Sequence, residues 1–165
     1  MATALTPIAW QSLASASASV TFSSIPGTYR DLRLVVTYTT SVNGGFYTRL
    51  NGDSAANYSQ VSMTGNGSTA SSTSSSGSTA FYDALQLTNS STSIGMAFFD
   101  YLDYSATDKH KTILIRAGNN GTPGPGTEAS TARWASTAAI TSMVLTAPGA
   151  TFSIGTTFAL YGVGA

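Results

Sequence analysis

The chain has no cysteine, one histidine, and only seven basic and seven acidic residues, whose formal charges cancel. Without cysteine it forms neither a disulfide framework nor a thiolate metal site, which suits a reducing cytoplasm. Sparse, balanced charge gives no electrostatic attraction for nucleic acid or anionic lipid. An active site, in turn, needs titratable groups gathered in a cleft. The composition therefore predicts a protein that is not an enzyme, has no cofactor or metal, and binds neither nucleic acid nor membrane.

Long hydrophobic runs are missing as well. No window of about 18 apolar residues occurs, so no membrane-spanning helix is expected. The first ten residues, MATALTPIAW, lack the basic start and continuous apolar stretch of a secretory signal. The sequence therefore predicts neither a membrane span nor a secretory signal.

Serine and threonine are abundant instead, at 25 residues each. They are densest in the tract 64–80, TGNGSTASSTSSSGSTA. Such a composition suits a β-rich protein whose solvent-exposed surface carries small hydroxyl groups in place of charges. With so little surface charge, a free monomer is poorly protected against self-association. A permanent assembly is therefore favoured. We predict that 64–80 and the Gly/Pro-rich stretch 118–128 are loops that are exposed outward or contact a partner.

Hydrophobic periodicity predicts strands almost everywhere. In 31–40, Leu32, Leu34 and Val36 alternate with polar or smaller residues, and no window shows the apolar stripe of a helix. The strongest candidate, 94–104, has a set of apolar residues on one face: Ile94, Met96, Phe98, Leu102 and Tyr104. The predicted strands are 19–24, 31–40, 46–50, 58–63, 80–87, 94–104, 109–117, 130–136, 140–147 and 157–163.

Short strands with Gly/Pro/Asn turns predict an all-β protein, a single jelly-roll-like β-sandwich of about eight to ten strands. Residues 19–165 form the sandwich domain in this interpretation. Residues 1–18 are either an edge strand of that sandwich or an N-terminal arm that docks on a neighbour, with the edge strand slightly favoured.

The only histidine, His110, has no G-x-S-x-G motif to accompany it, so a strand-edge position is favoured over a catalytic one. Asp100 and Asp103 are an odd number of residues apart, so in a strand they point to opposite faces and cannot flank one sugar bond. Their spacing from Asp108 does not fit a calcium loop. No catalytic, cofactor or metal site is predicted.

Asp100 has a structural interpretation instead. We expect it to point inward and to fix strand register by pairing with an arginine of a neighbouring strand. Three arginines are candidates for that pair, namely Arg33, Arg49 and Arg116.

Most aromatic residues are expected in the core, but three doubled pairs must each turn one ring outward in a strand: Phe46–Tyr47, Phe81–Tyr82 and Phe98–Phe99. Such rings need a cover, which favours a subunit contact. The partner-contact candidates are Ile8, Trp10, Leu13 and Trp134, with Trp10 as the anchor if the N-terminus is an arm.

Several strand-turn phrases resemble small virion proteins of tailed bacteriophages, which decorate heads or accompany tail fibres. These phrases are SVTFSSIPGTYRDLRLVV (19–36), RLNGDSAANYS (49–59), FDYLDYSATDKHKTI (99–113), RW (133–134), ITSMVLTAPGATF (140–152) and FALYGV (158–163). The resemblance implies a β-sandwich, commonly trimeric, that binds over junctions of the major capsid protein.

We therefore expect a capsid decoration (cement) protein, a homotrimer on the surface of a virion assembled in the bacterial cytoplasm. One alternative is a tail-fibre or tail-tip module whose outward Tyr and Trp rings bind a host glycan. A second, from another class, is a hydrolase that uses His110.

Overall fold

The computed structural model describes residues 5–42, 44–82, 93–119 and 126–164. These residues form twelve strands and no helix, so the predicted all-β class is confirmed, although the strands outnumber the predicted eight to ten. The strands are β1 (Leu5–Ser12), β2 (Ser19–Phe22), β3 (Asp31–Tyr38), β4 (Tyr47–Leu50), β5 (Tyr58–Gly65), β6 (Ala70–Ser78), β7 (Phe81–Tyr82), β8 (Gly95–Leu102), β9 (Lys111–Asn119), β10 (Gly126–Trp134), β11 (Met143–Thr146) and β12 (Thr157–Val163).

The strands form two antiparallel sheets. The large sheet has the order β1-β12-β3-β8-β9-β10-β5-β6, and the small sheet has the order β2-β11-β4-β7. β1 is an edge strand that pairs with β12, with a register shift between Pro7 and Ala9. Between the two sheets lies one hydrophobic core, to which both contribute buried side chains. The rings of Phe81 in β7 and Phe99 in β8, 6.3 Å apart, connect the sheets directly. The arrangement is sandwich-like.

Strand alternation decides which side chains enter the core. In β3, the predicted face of Leu32, Leu34 and Val36 is fully buried, while Arg33 and Val35 on the other face are partly exposed. Each sheet thus has an inner face toward the other sheet and an outer face away from it.

Aromatic rings fill the centre of the core. Phe152, which lies outside the strands, has its ring centroid 5.5 Å from that of Phe46 and 5.1 Å from that of Phe158. Tyr38 packs edge-on against Phe46 at 5.0 Å. Edge-to-face pairs of this kind add to the free energy gained from burial alone. Backbone hydrogen bonds between Phe152 and Ser17, at 2.8 and 3.1 Å, hold the segment in place.

The prediction of a loop over 64–80 is wrong, since β5 continues to Gly65 and the tract 70–78 forms β6, an edge strand paired with β5. The outward exposure predicted for this tract is confirmed for β6, where only Ser78 is less than exposed. The turn between them is local: Asn66 Oδ1 accepts hydrogen bonds from the backbone N–H groups of Ser68 and Thr69. Gly67 takes a φ of 86°, which suits glycine. A serine-rich composition signalled a loop, but backbone pairing to an existing strand does not depend on side chains.

The second predicted loop, 118–128, is shorter than expected. β9 extends to Asn119 and β10 begins at Gly126, so the prediction is wrong at both ends. The rest of that stretch, 120–125, lies outside the described residues, as do 83–87 of the strand predicted for 80–87, of which Phe81–Tyr82 forms β7.

Candidate functional site

The outer face of the large sheet carries a band of exposed apolar side chains. Cross-strand register places one row of directly opposed residues across seven strands, all pointing to this face. At a strand spacing of about 4.8 Å the row is about 30 Å long. In strand order, the row is Trp10, Ala159, Val35, Phe98, Arg116, Ala129 and Met63. All but Arg116 are apolar, and Ala159 and Val35 are only partly exposed.

β8 shows why this face is unusual. Its inner side chains, Ala97, Phe99 and Tyr101, are buried, and three of its four outer side chains are apolar and exposed, Met96 (43%), Phe98 (39%) and Leu102 (36%), while the fourth is Asp100. An antiparallel strand with one wet face normally alternates apolar with polar residues, and a strand apolar on both faces is typical of one covered on both sides. The outer face around β8 therefore has more exposed apolar residues than a solvent-facing sheet normally has.

Two neighbouring residues extend the same surface. Leu114 of β9 is partly exposed, and Val61 of β5 is more than half exposed, like Met63 beside it. The face predicted for 94–104 is thus the outer one, where Met96, Phe98 and Leu102 lie. Residue 94 precedes the strand, and the backbone turns at Asp103 (φ 46°), so Ile94 and Tyr104 do not share that face as members of β8.

The doubled aromatic pairs behave as alternation predicts. Phe46, Phe81 and Phe99 are fully buried, whereas Tyr82 and Phe98 remain exposed. Tyr47 and Tyr82 lie together on the outer face of the small sheet, with ring centroids 5.9 Å apart. The expectation of one outward ring in each pair is confirmed.

A depression of about 490 Å³, which we call the outer-face pocket, opens over β3, β8 and β9. Across it Arg33 and Asp100 face each other in register and form a two-bond ion pair, Nε–Oδ1 2.6 Å and Nη2–Oδ2 3.0 Å. The hydrogen bond to Asp100 raises the pKa of Arg33, so its guanidinium stays charged. The lining residues of the outer-face pocket are Arg33, Met96, Phe98, Asp100, Arg116, Ala117 and Gly118.

The predicted register-fixing pair of Asp100 is therefore present, with Arg33 as the partner. The expected inward direction is wrong, because Asp100 lies on the outer face with Met96 and Phe98. Arg116, another candidate partner, is exposed and makes no hydrogen bond or ion pair with the residues described here. Its directly opposed neighbours are Phe98 and Ala129, and neither carries an acceptor side chain.

The four partner-contact candidates lie in different places. Trp10 is 69% exposed on the outer face of β1, and Ile8 is partly buried against the core. Leu13 and Trp134 are core residues, so their side chains are not at the surface. The structure thus brings Trp10, but not Leu13 or Trp134, into the exposed apolar band.

Trp134 is held by Asp53, which sequence reasoning did not single out. The indole Nε1–H donates to Asp53 Oδ2 at 2.7 Å, and Asn57 Nδ2 donates to the same oxygen at 2.9 Å. The hydrogen bonds from Asn57 and Trp134 lower the pKa of Asp53. The NGD turn (51–53), which follows β4 of the small sheet, is thus connected to β10 through the Trp134 side chain. The role of this tryptophan is structural.

We expect Asp53→Ala to lower the free energy of unfolding by about 1–3 kcal/mol, because the buried indole N–H loses its acceptor. Since the pKa of Asp53 is lowered in the folded state, its contribution is complete above the unfolded value of about 3.9 and is lost as pH falls through the folded value. Denaturant unfolding at neutral and acidic pH measures both effects. The matched control is Asp108→Ala at an exposed carboxylate, and equal stability of the two variants at neutral pH would contradict the assignment.

The residues considered for catalysis do not assemble. His110 is exposed directly before β9, and Asp103 pairs at the surface with Lys109 Nζ at 3.2 Å. Among the described residues no group of three His, Asp or Glu side chains is placed to hold a metal ion. In the same parts of the chain no helix is long and apolar enough to cross a membrane.

Lys111 is the other residue that sequence reasoning missed. It is fully buried, and its Nζ donates to the backbone carbonyls of Ala106, Lys109 and Thr137 at 2.6, 2.9 and 3.3 Å. Burial lowers the pKa of this amine. A usable signal was present, because alternation in KHKTILIRA places Lys111 on the face of Ile113, which is the buried face. Lys111 ties the turn after β8 to the segment after β10.

The outer-face pocket and the apolar band around it are thus the chief functional candidate in the described chain. No protein-family model matches this chain, and neither a curated protein nor a solved structure is significantly similar to it.

Proposed function

We propose that the protein is a structural protein of a tailed-bacteriophage virion, a homotrimer that decorates the head and binds the major capsid lattice through the outer face of the large sheet. Its location would be the capsid surface, after assembly in the bacterial cytoplasm. The observation that carries the proposal is the exposed apolar band from Trp10 to Met63. The resemblance of several short sequence segments to phage virion proteins supports the major capsid protein as the partner.

The size of the face suits a stable protein interface. Eight strands about 4.8 Å apart, each about eight residues long, present about 900 Å² on one side. A specific interface buries about 800 Å² on each partner. Within this face, the exposed large hydrophobic residues, among them Trp10, Phe98 and Met63, favour a covering partner. The face is therefore large enough to bind a lattice without help from other surfaces.

The edges of the large sheet support assembly as well. At one edge, β1 contains Pro7 and a register shift, both of which obstruct strand addition. At the other edge, β6 has no charge and no proline, its register shift is confined to its C-terminal end at 75–78, and all of its residues but Ser78 are exposed. A long uncharged edge strand is a template for pairing with another chain, and monomeric proteins usually block it. The β6 edge is thus a candidate for contact between protomers.

The mechanism is mass action. A protein that binds the mature lattice and not the ruptured shell stabilises the bound state by an amount that grows with ligand concentration and affinity. Many copies on one shell add their contributions, so each contact can be modest. Catalysis has no part in this mechanism.

The test uses particles purified without this protein and then reconstituted. We expect the bare particles to rupture at a lower temperature than complete ones, and wild-type protein to restore the difference. Phe98→Ala removes an exposed ring from the apolar band and is expected to restore it poorly, whereas Tyr82→Ser on the outer face of the small sheet should act like wild type. An unchanged rupture temperature in bare particles would overturn the proposal.

A tail-located glycan-binding module is the second candidate, favoured by the 69% exposed ring of Trp10. An exposed indole can stack on a sugar ring. Copy number separates the two functions: a decoration protein is present in hundreds of copies per virion, and a tail module in a few to a few dozen. Quantitative gel analysis of purified virions gives this number directly.

A further inference from the structure

We propose that the outer-face pocket recognises a carboxylate carried on an apolar body, with Arg116 binding the carboxylate and Phe98 and Met96 packing against the apolar part. In the assembled particle this group is an acidic side chain of the protein that covers the outer face, a point that rests on the proposed function. The recognition itself is a property of the isolated protein and can be measured there.

The charge state of the pocket favours a monoanion. Two arginines and one aspartate line it, Arg33, Arg116 and Asp100, so the net charge is 2 − 1 = +1. Asp100 already binds the Nε and Nη2 atoms of Arg33, which neutralises that guanidinium. Arg116 is therefore the cation left to bind a ligand. A single planar guanidinium matches a carboxylate through two parallel hydrogen bonds.

The apolar wall supplies the second half of the recognition. Phe98 stands directly opposite Arg116 in the β8–β9 register, so a group bound to the guanidinium lies against the ring. Met96 is the next outward residue of β8, and its flexible thioether adapts to different shapes. Gly118 on β9 carries no side chain, which leaves room at that end of the pocket. The volume, about 490 Å³, lies within the range of small-ligand sites, about 300–1,000 Å³.

The test uses phenylpropionate as the probe and methionine methyl groups as reporters. Met96 lines the pocket, Met63 lies elsewhere on the same face, and Met143 is buried in the core. In protein labelled at methionine methyls, titration is expected to shift the Met96 signal saturably, with a dissociation constant on the order of 1 mM, and to leave Met63 and Met143 unchanged. Phenylpropionamide, which has the same shape without the charge, should bind about tenfold more weakly or not at all.

Matched arginine variants separate the pocket from general surface charge. Arg116→Gln is expected to weaken phenylpropionate binding about tenfold or more, while Arg133→Gln, an exposed arginine on the outer face of β10, should bind like wild type. Both residues are exposed, so both variants should keep the wild-type unfolding midpoint. No Met96 shift, equal binding of the amide, or equal binding by Arg116→Gln would each overturn the inference.

Reconstitution of bare particles distinguishes a failure of the proposed carboxylate recognition from a failure of the proposed decoration role. If wild type decorates particles and Arg116→Gln decorates them equally well, the partner carboxylate is overturned and the decoration role stands. If wild type does not decorate but binds the probe through Arg116, the decoration role fails and recognition by the pocket stands. Loss of decoration in Arg116→Gln, with Arg133→Gln unaffected, supports both.

Discussion

Phe152→Ala is expected to lower the free energy of unfolding by about 3–5 kcal/mol. The side chain is fully buried and its ring packs against Tyr38, Phe46 and Phe158. Removing it deletes those contacts and leaves a cavity that the sandwich closes only in part, because the large sheet is held by long ladders of hydrogen bonds. Equilibrium unfolding in denaturant, followed by circular dichroism, measures the change.

Phe98→Ala is the matched control, since the same atoms are removed from a ring that is 39% exposed on the outer face. It should cost less than about 1 kcal/mol in isolated protein and yet weaken particle binding. The two variants thus separate the core from the interface. Similar stability losses in both would mean that the outer face is part of the folding core, which contradicts the division between the two faces.

Lys111→Met is expected to lower the free energy of unfolding by about 3 kcal/mol. Methionine keeps most of the volume and the unbranched shape, but the backbone carbonyls of Ala106, Lys109 and Thr137 lose their shared donor. The loss is large because one charged donor makes all three hydrogen bonds in a partly buried region. Thermal and denaturant unfolding measure the loss.

Lys109→Met provides the control two residues away. The Lys109 side chain is exposed, and its ion pair with Asp103 is at the surface, where such pairs contribute little. We expect a change within about 0.5 kcal/mol. If Lys111→Met were as stable as Lys109→Met, the carbonyl cluster would not be holding the turn after β8 to the segment after β10.

Sequence reasoning placed most strands correctly because backbone geometry imposes a period of two wherever a strand has one buried face. The face of Leu32, Leu34 and Val36 is an example. Periodicity does not identify the strand within 64–80, because polar residues on both faces of β6 leave no alternation to detect. An edge strand forms by pairing with its neighbour, and its own side chains need not signal it.

The candidate site was only partly predictable. An arginine partner for Asp100 and an outward ring at Phe98 or Phe99 were anticipated, and Trp10 was expected to make a contact. That Arg116 makes no hydrogen bond or ion pair with the described residues was not anticipated, since all three candidate arginines looked alike in sequence. Register decided among them: β3 sets Arg33 opposite Asp100, and β9 sets Arg116 opposite Phe98.

The sequence by itself determined the all-β class, the two faces of each strand and the rule that doubled aromatics divide between them. Only the tertiary structure decided which arginine is paired, that Trp134 is buried against Asp53, and which backbone carbonyls accept from Lys111. The physical reason is the separation along the chain of the residues that set each property. Alternation is a property of neighbouring residues, whereas burial and pairing depend on partners far along the chain, such as Asp53 for Trp134 across 81 positions.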